Sequence, residues 1–270
     1  MAIPYYHVDW FTSELFAGNP AGVCILSAFP ADSVMQKIAA ENRHSETAFV
    51  VARTDGDFDL RWFTPMVEDD LCGDATLASA YVLALRKHNV WPVRFHTRGG
   101  VLSVAQAVTQ NADQEHGSFA MDFPARPPEP CETPVELLPA LGLKAALVMG
   151  SRDYVVVVEE AEQVRAITPD FAALARLGVG TGGTIVTAPG KGDVDYVCRL
   201  FVPSVGINED PATGSIHCTL APWWAERLGK KRLRARQLSA RGGSMECTVG
   251  GDRVTIAGQA RLYLQGSIEL

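Results

Sequence analysis

Two loops in this chain combine small residues with carboxylates at what reads as the start of a helix. They are Leu71-Cys72-Gly73-Asp74-Ala75-Thr76 and Glu209-Asp210-Pro211-Ala212-Thr213-Gly214-Ser215. A helix N-terminus presents backbone N–H groups that have no intrahelical partner, together with a partial positive charge. Two such termini facing across a cleft would hold a small anion, such as a carboxylate, through backbone donors and without a cation. Gly73, Ala75, Thr213, Gly214 and Ser215 are the candidate substrate-binding residues, although Thr213 to Ser215 also read as ordinary capping residues. Asp210 stands before a proline, where Asp forms turns and caps helices. A third carboxylate, Glu46, opens an apolar strand. In a cleft, desolvation would raise its pKa and let it accept and return a proton near neutral pH; on an open surface it would be a solvated charge.

The elements that must position these loops repeat. Arg61-Trp62-Phe63-Thr64-Pro65-Met66-Val67 is echoed 138 residues on by Arg199-Leu200-Phe201-Val202-Pro203-Ser204-Val205. Arg98-Gly99-Gly100-Val101-Leu102 is echoed by Arg241-Gly242-Gly243-Ser244-Met245, an offset of 143. In a chain of 270 residues this reads as a duplicated lobe of about 130 residues, with a ligand site between the copies. Placing Phe63 on Phe201 sets Cys72 opposite Asp210, Gly73 opposite Pro211 and Leu77 opposite Ser215.

Apolar residues at 47 % and charged residues at 20 % fit a soluble protein with a full core. A net charge of −7 argues against general affinity for nucleic acid or anionic membrane, and the basic run Arg227 to Arg236 reads as a solvated helix end and loop. No secretory signal or spanning segment is written, and the six cysteines form no CxxC, so a reduced, metal-free, cytoplasmic protein is expected.

Periodicity predicts strands at 3–11, 47–52, 58–62, 93–96, 101–106, 118–123, 154–158, 184–187, 196–202, 254–256 and 260–264, with a short apolar run at 23–26. Helices are predicted at 31–42, capped by Asp32 or Ser33, and at 75–87, 169–177 and 215–228, the last interrupted by Pro222. The proline-rich run 123–130 reads as a linker. The fold class is α+β, with an N-terminal lobe of 1–118, against which the final strand 263–270 packs, and a C-terminal lobe of 119–262. Strands do not alternate regularly with helices, so a doubly wound parallel sheet is not expected.

Five motifs in order carry a resemblance. Val8-Asp9-Trp10-Phe11-Thr12 and Phe16-Ala17-Gly18-Asn19-Pro20-Ala21-Gly22-Val23 come first, then Ser45-Glu46-Thr47-Ala48-Phe49-Val50. Phe63-Thr64-Pro65 with Asp70-Leu71-Cys72-Gly73, and the 209–215 segment, complete the set. Together these resemble the PhzF-like family, named for the phenazine biosynthesis isomerase, whose fold is diaminopimelate-epimerase-like: two similar lobes, each a barrel-like sheet around a central helix. The resemblance implies a cofactor-independent isomerase or epimerase that moves a proton on its substrate. It makes Glu46 the acid/base and Asp210 the residue that positions a substrate amino or hydroxyl group; Asn19, in Gly-Asn-Pro, reads either as a cleft-wall residue or as a plain turn residue. It also implies a homodimer acting on a small anionic or zwitterionic substrate.

One position departs from the family, which commonly reads Cys-Gly-His-Ala-Thr where this chain has Cys72-Gly73-Asp74-Ala75-Thr76. An ionised aspartate only accepts, where a neutral histidine can also donate. Sharing one pocket, Glu46, Asp74 and Asp210 would titrate as a coupled set. Then either one carboxyl stays protonated or the substrate brings a positive group. Alternatively, Asp74 caps the helix and faces away. Racemases of this fold use two opposed cysteines; with Asp210 opposite Cys72 that pair is incomplete, and Cys72 reads as a small buried residue. The competing readings are a non-catalytic small-molecule binder of the same fold and a racemase-type activity on an amino-acid-like substrate. No Walker A motif and no GxGxxG after a strand is written; Gly178 to Gly183 reads as a loop.

Overall fold

The computed structural model describes residues 2–69, 72–107, 117–177 and 182–270. Asp70 and Leu71 of the family motif, and Gly178 to Thr181 of the glycine-rich run, lie outside the described residues. The chain divides into two compact units, 1–122 with 257–270, and 123–256.

The first unit comprises β1 (Ala2–Trp10), β2 (Asn19–Leu26), α1 (Asp32–Asn42), β3 (Glu46–Ala52), β4 (Phe58–Phe63), β5 (Glu68–Asp69), α2 (Gly73–Leu85), β6 (Val93–Thr97), β7 (Gly100–Ala107) and β8 (Ser118–Pro124). The second comprises β9 (Glu129–Pro130), α3 (Leu137–Ala140), β10 (Leu147–Gly150), β11 (Tyr154–Val157), α4 (Ala161–Ala166), α5 (Phe171–Leu177), β12 (Thr184–Pro189), β13 (Tyr196–Val202), β14 (Ile207–Asp210), α6 (His217–Leu228), β15 (Arg232–Gln237) and β16 (Gly243–Gly250). The final strand, β17 (Arg253–Glu269), begins in the second unit, and its later residues pair with β1 in the first.

Strand by strand, the two units repeat one pattern of pairing. In the first, β1–β2 is antiparallel, β2–β3 parallel, β3–β4 and β4–β5 antiparallel, β4–β6 parallel and β6–β7 antiparallel. In the second, β10–β11, β11–β12, β12–β13, β13–β14, β13–β15 and β15–β16 follow the same sequence of directions. The first ring closes because β17 pairs with both β1 and β8. Each unit is thus a barrel-like sheet, and the fold is α+β with two pseudo-symmetric lobes.

α2 shows why a helix can sit at the centre of such a sheet. Residues 75–83 are all buried, so the helix has no solvent face. Its hydroxyls return to its own backbone: Thr76 Oγ1 donates to the Cys72 carbonyl at 2.5 Å and Ser79 Oγ to that of Ala75 at 2.7 Å. α6 buries His217 to Ala221 with Trp223 and Trp224. Pro222 cannot donate to the Cys218 carbonyl, and the Arg126 N–H takes that acceptor at 2.8 Å, so the helix continues through the proline. Outside the sheet, α1 packs Met35, Ile38 and Ala39 on Cys24, Phe49 and Phe63. In the second unit, Leu137, Val164, Leu174, Val186 and Phe201 share one core.

Several expectations need correction. α1 is capped by Ala31, not by Asp32 or Ser33, and no side chain caps it. The basic run is partly strand: in β15, Leu233, Ala235 and Gln237 are buried, while Arg232 turns out to pair with Glu246 at 2.6 Å. The two closing strands are one, because Gly258 supports continuous pairing; a Cβ there would lie 2.5 Å from Phe11 Cδ1. No helix among the described residues is long and apolar enough to cross a membrane.

Candidate active site

Alternation decides which side chains of the first unit meet α2. In the ladder Ala21 pairs with Glu46, Ala48 with Trp62, and Trp62 with Asp69. Cross-strand partners share a face, so Glu46, Ala48, Trp62 and Asp69 face one side of the sheet. Ala48 and Trp62 are fully buried there, whereas Glu46 and Asp69, at strand ends, are half-buried.

Asp74, the second residue of α2, faces the same group. Asn19, at the start of β2 and 3 % exposed, donates from Nδ2 to Asp74 Oδ2 at 3.2 Å, and Ser45 Oγ donates to Asn19 Oδ1 at 3.3 Å. Asp74 therefore neither faces away nor caps the helix. The cap is Cys72, whose Sγ accepts from the Ala75 N–H at 3.4 Å. Burial pushes the Cys72 thiol well above its usual range, and the charges of Glu46, Asp74 and Asp69 push it further. Cys72 is held as a protonated thiol.

In the second unit the corresponding loop is tied to β15. Asp210 is buried; its Oδ2 accepts from Thr213 Oγ1. The fully buried Gln237 accepts from the Thr213 N–H at 2.9 Å, and its Nε2 donates to the Asp210 carbonyl at 2.8 Å. Thr213, Gly214 and Ser215 precede the helix, which begins at His217 rather than at Ser215; His217 N–H bonds the Gly214 carbonyl at 3.0 Å. Gln237 escaped the sequence reading, since nothing marks one glutamine in an arginine-rich strand.

The register corrects the alignment of the lobes. Arg61 makes a two-point ion pair with Glu68 (2.7 and 2.8 Å), and its echo Arg199 makes the same pair with Glu209 (2.7 and 2.9 Å). Trp62 pairs with Asp69 and its echo Leu200 with Asp210. Asp210 thus corresponds to Asp69, Thr213 to Cys72 and Ser215 to Asp74. The link from Phe201 to Glu209 is three residues longer than that from Phe63 to Glu68, and it forms a 3-10 turn over Pro203–Val205. Cys72 was expected to stand opposite Asp210; the turn absorbs the difference.

The same logic finds the counterpart of Glu46. Ala48 pairs with Trp62 and Ile185 with Leu200, so two residues earlier Glu46 corresponds to Gly183. A Cβ at Gly183 would lie 2.4 Å from Val202 Cγ1 and 2.5 Å from the Phe201 carbonyl oxygen. The second unit has no acidic residue at that position and no room for one; Asp153, from the β10–β11 turn, instead accepts from the Gly183 N–H at 2.5 Å.

Two further groups lie elsewhere. His217, fully buried, has Nδ1 2.6 Å from the Tyr196 hydroxyl, and burial lowers its pKa to about 3. Asp55, Asp57 and His96 bring three metal-type ligand atoms within 4.8 Å of one another, but Arg53 pairs with Asp55 at 3.1 Å and Arg94 with Asp57 at 3.8 Å.

Residues 8–266 match the family described as phenazine biosynthesis-like protein. The chain belongs to that family. A relative in Pseudomonas aeruginosa, called an uncharacterized isomerase, is 52 % identical over the full length of both chains. Another uncharacterized isomerase, from Halalkalibacterium halodurans, is 39 % identical, again over both full lengths. A crystal structure of a PhzF family protein from Enterococcus faecalis superposes with a TM-score of 0.92 at 43 % identity, covering all of each chain. A probable proline racemase from Agrobacterium radiobacter, at 12 % identity and a TM-score of 0.61, covering 99 % of this chain and 93 % of its own, shares the fold. The phenazine biosynthesis-like chain described here is thus an isomerase at the level of its family, with an epimerase-like fold.

Proposed function

We propose that this protein is a cofactor-independent isomerase or epimerase in which Glu46 takes a proton from carbon beside a carboxylate or enol and returns it elsewhere on the same face. The observation that carries this reading is the asymmetry of the repeat: Glu46 is matched by Gly183, so one lobe alone offers the acid/base. A thiol pair is not the alternative, because Thr213 stands where a second cysteine would be needed. Asp210 positions a substrate amino or hydroxyl group. The N–H groups at Gly73, Gly214 and Ser215 hold the carboxylate and stabilise charge that develops during proton transfer, while Ala75, whose N–H goes to Cys72 Sγ, shapes the loop. Thr213 contributes by fixing Asp210. Asn19 and Asp74 form the wall beside Glu46. In this reading the protein works in the cytoplasm as a homodimer on a small anionic or zwitterionic substrate.

Asp74 in place of the family's usual histidine favours one second reading, a small-molecule binder without chemistry. Solvent-deuterium incorporation into small amino and hydroxy acids, followed by mass spectrometry, separates the two. Incorporation that Glu46→Gln abolishes supports the isomerase. Binding without incorporation, in wild type as in the variant, supports the binder.

A further inference from the structure

We propose that Asp69 is a substrate-positioning carboxylate, the N-terminal lobe's counterpart of Asp210, and that it selects a substrate carrying a protonated amine beside its carboxylate. The proposal rests on the isomerase reading above and deepens it by naming the substrate class.

Three observations converge on this residue. The first is register: Asp69 and Asp210 occupy the same place in the two copies, each following a glutamate clamped by the repeated arginine and each paired with the residue after that arginine. The clamped glutamates point to one face of their short strands, so Asp69 and Asp210 point to the other, towards the start of the central helix. The second is the neighbourhood. Asp69 shares its face with Glu46, and its charge reaches the Cys72 thiol together with those of Glu46 and Asp74. Three carboxylates around one neutral thiol favour a cationic group on the bound molecule. The third is a donor that awaits an acceptor. Trp62, directly opposite Asp69 in the ladder, is buried, and among the described residues its indole N–H has no hydrogen-bond partner. A buried donor left unpaired is costly, and such groups call for a structural or functional reason. A zwitterion brings an amine to this acidic face and an oxygen acceptor to the indole.

The chain's own asymmetry fits this division. The second unit has Thr213 and Ser215 where the first has Cys72 and Asp74, so the cation-selecting charge lies in the first unit, on the side of Glu46. Sequence reasoning passed over Asp69 because the 138-residue offset assigned the counterpart of Asp210 to Cys72.

The test uses the full-length protein in D2O with two panels, the protein amino acids in both L and D forms and the matching 2-hydroxy acids. The readout is mass-spectrometric incorporation of deuterium at carbon. Wild type is expected to exchange amino acids in preference to hydroxy acids. Asp69→Asn should raise KM for amino acids about 10- to 100-fold, the loss of one charge-assisted hydrogen bond, with kcat and the hydroxy acids little changed. Asp69→Glu, which keeps the charge, should recover part of the loss; it also serves if the asparagine variant fails to fold. An equal loss on both panels, or no loss for amino acids, overturns the proposal. Exchange of hydroxy acids alone overturns the amine assignment and leaves the proton-transfer reading standing. Exchange of neither panel overturns both.

Discussion

Glu46 and Gly183 occupy one position in two copies of a fold, and the crowding at Gly183 by Val202 and the Phe201 carbonyl explains why the second copy cannot carry the acid. Side chains at equivalent positions are therefore unequal between lobes even where the strands match. His217 illustrates a buried group with a different consequence. Its folded pKa of about 3 lies below the ordinary 6.5, because burial disfavours the imidazolium. Between those values the unfolded chain binds a proton that the folded chain refuses. Stability should rise with pH from about 3 to 6.5, by up to about 1.4 kcal/mol per pH unit, and level off above that window. Urea unfolding at a series of pH values checks this. His217→Gln should flatten the slope in that window, and an unchanged slope would mean that another group sets it. Glu46, Asp74 and Asp210 were legible as candidates from motif order, since each sits in a short signature. Asp69, Gln237 and His217 were not: a carboxylate on a two-residue strand, a glutamine among arginines and a buried histidine look like ordinary surface or core residues.

At the scale of elements, the repeated arginines hold the short hairpins that present Asp69 and Asp210. Arg199 does more than Arg61. Besides its fork onto Glu209 it donates to the buried Ile167 carbonyl at 2.8 Å, whereas both arginines lie over a ring, Arg199 4.8 Å from the centre of Phe201 and Arg61 5.3 Å from that of Phe63. Lysine cannot reproduce a planar fork with additional donors. Arg199→Lys should therefore cost about 2–4 kcal/mol, close to the cost of breaking a partly buried pair. Arg61→Lys should cost less, because Asp32, its additional partner, is exposed. Denaturant midpoints of the two variants decide the order, and equal losses would contradict it. The long strands and helices were readable from periodicity. The corrections fall where pattern is weakest: β5 and β14 are too short to show alternation, and the 3-10 turn that shifts the register leaves no periodic signal. Charged residues on one face of β15 masked a strand.

At the scale of the molecule, the duplication seen in two short echoes is a full repeat of strand pairing, six ladders in the same order of directions. That correspondence, more than sequence similarity between the copies, identifies equivalent residues. It also gives each unit its own filled core, with most thiols inside. Cys24, Cys72, Cys198, Cys218 and Cys247 are buried and Cys131 is exposed. Burial lifts Cys24 and Cys247 to about 12, far from the thiolate that alkylating reagents attack. Native protein at pH 7.5 should take up one equivalent of iodoacetamide, at Cys131, and six after denaturation. Rapid labelling of any second cysteine would show a looser packing than described.

Deuterium incorporation from solvent is the most direct test of a single proposed acid/base in the first lobe. With an amino-acid substrate at neutral pH, Glu46→Gln should retain the wild-type melting temperature and lose about 10²- to 10⁴-fold in exchange rate, the usual contribution of a positioned general acid or base. Exchange by a folded Glu46→Gln protein within about threefold of wild type, well short of that loss, would contradict the account.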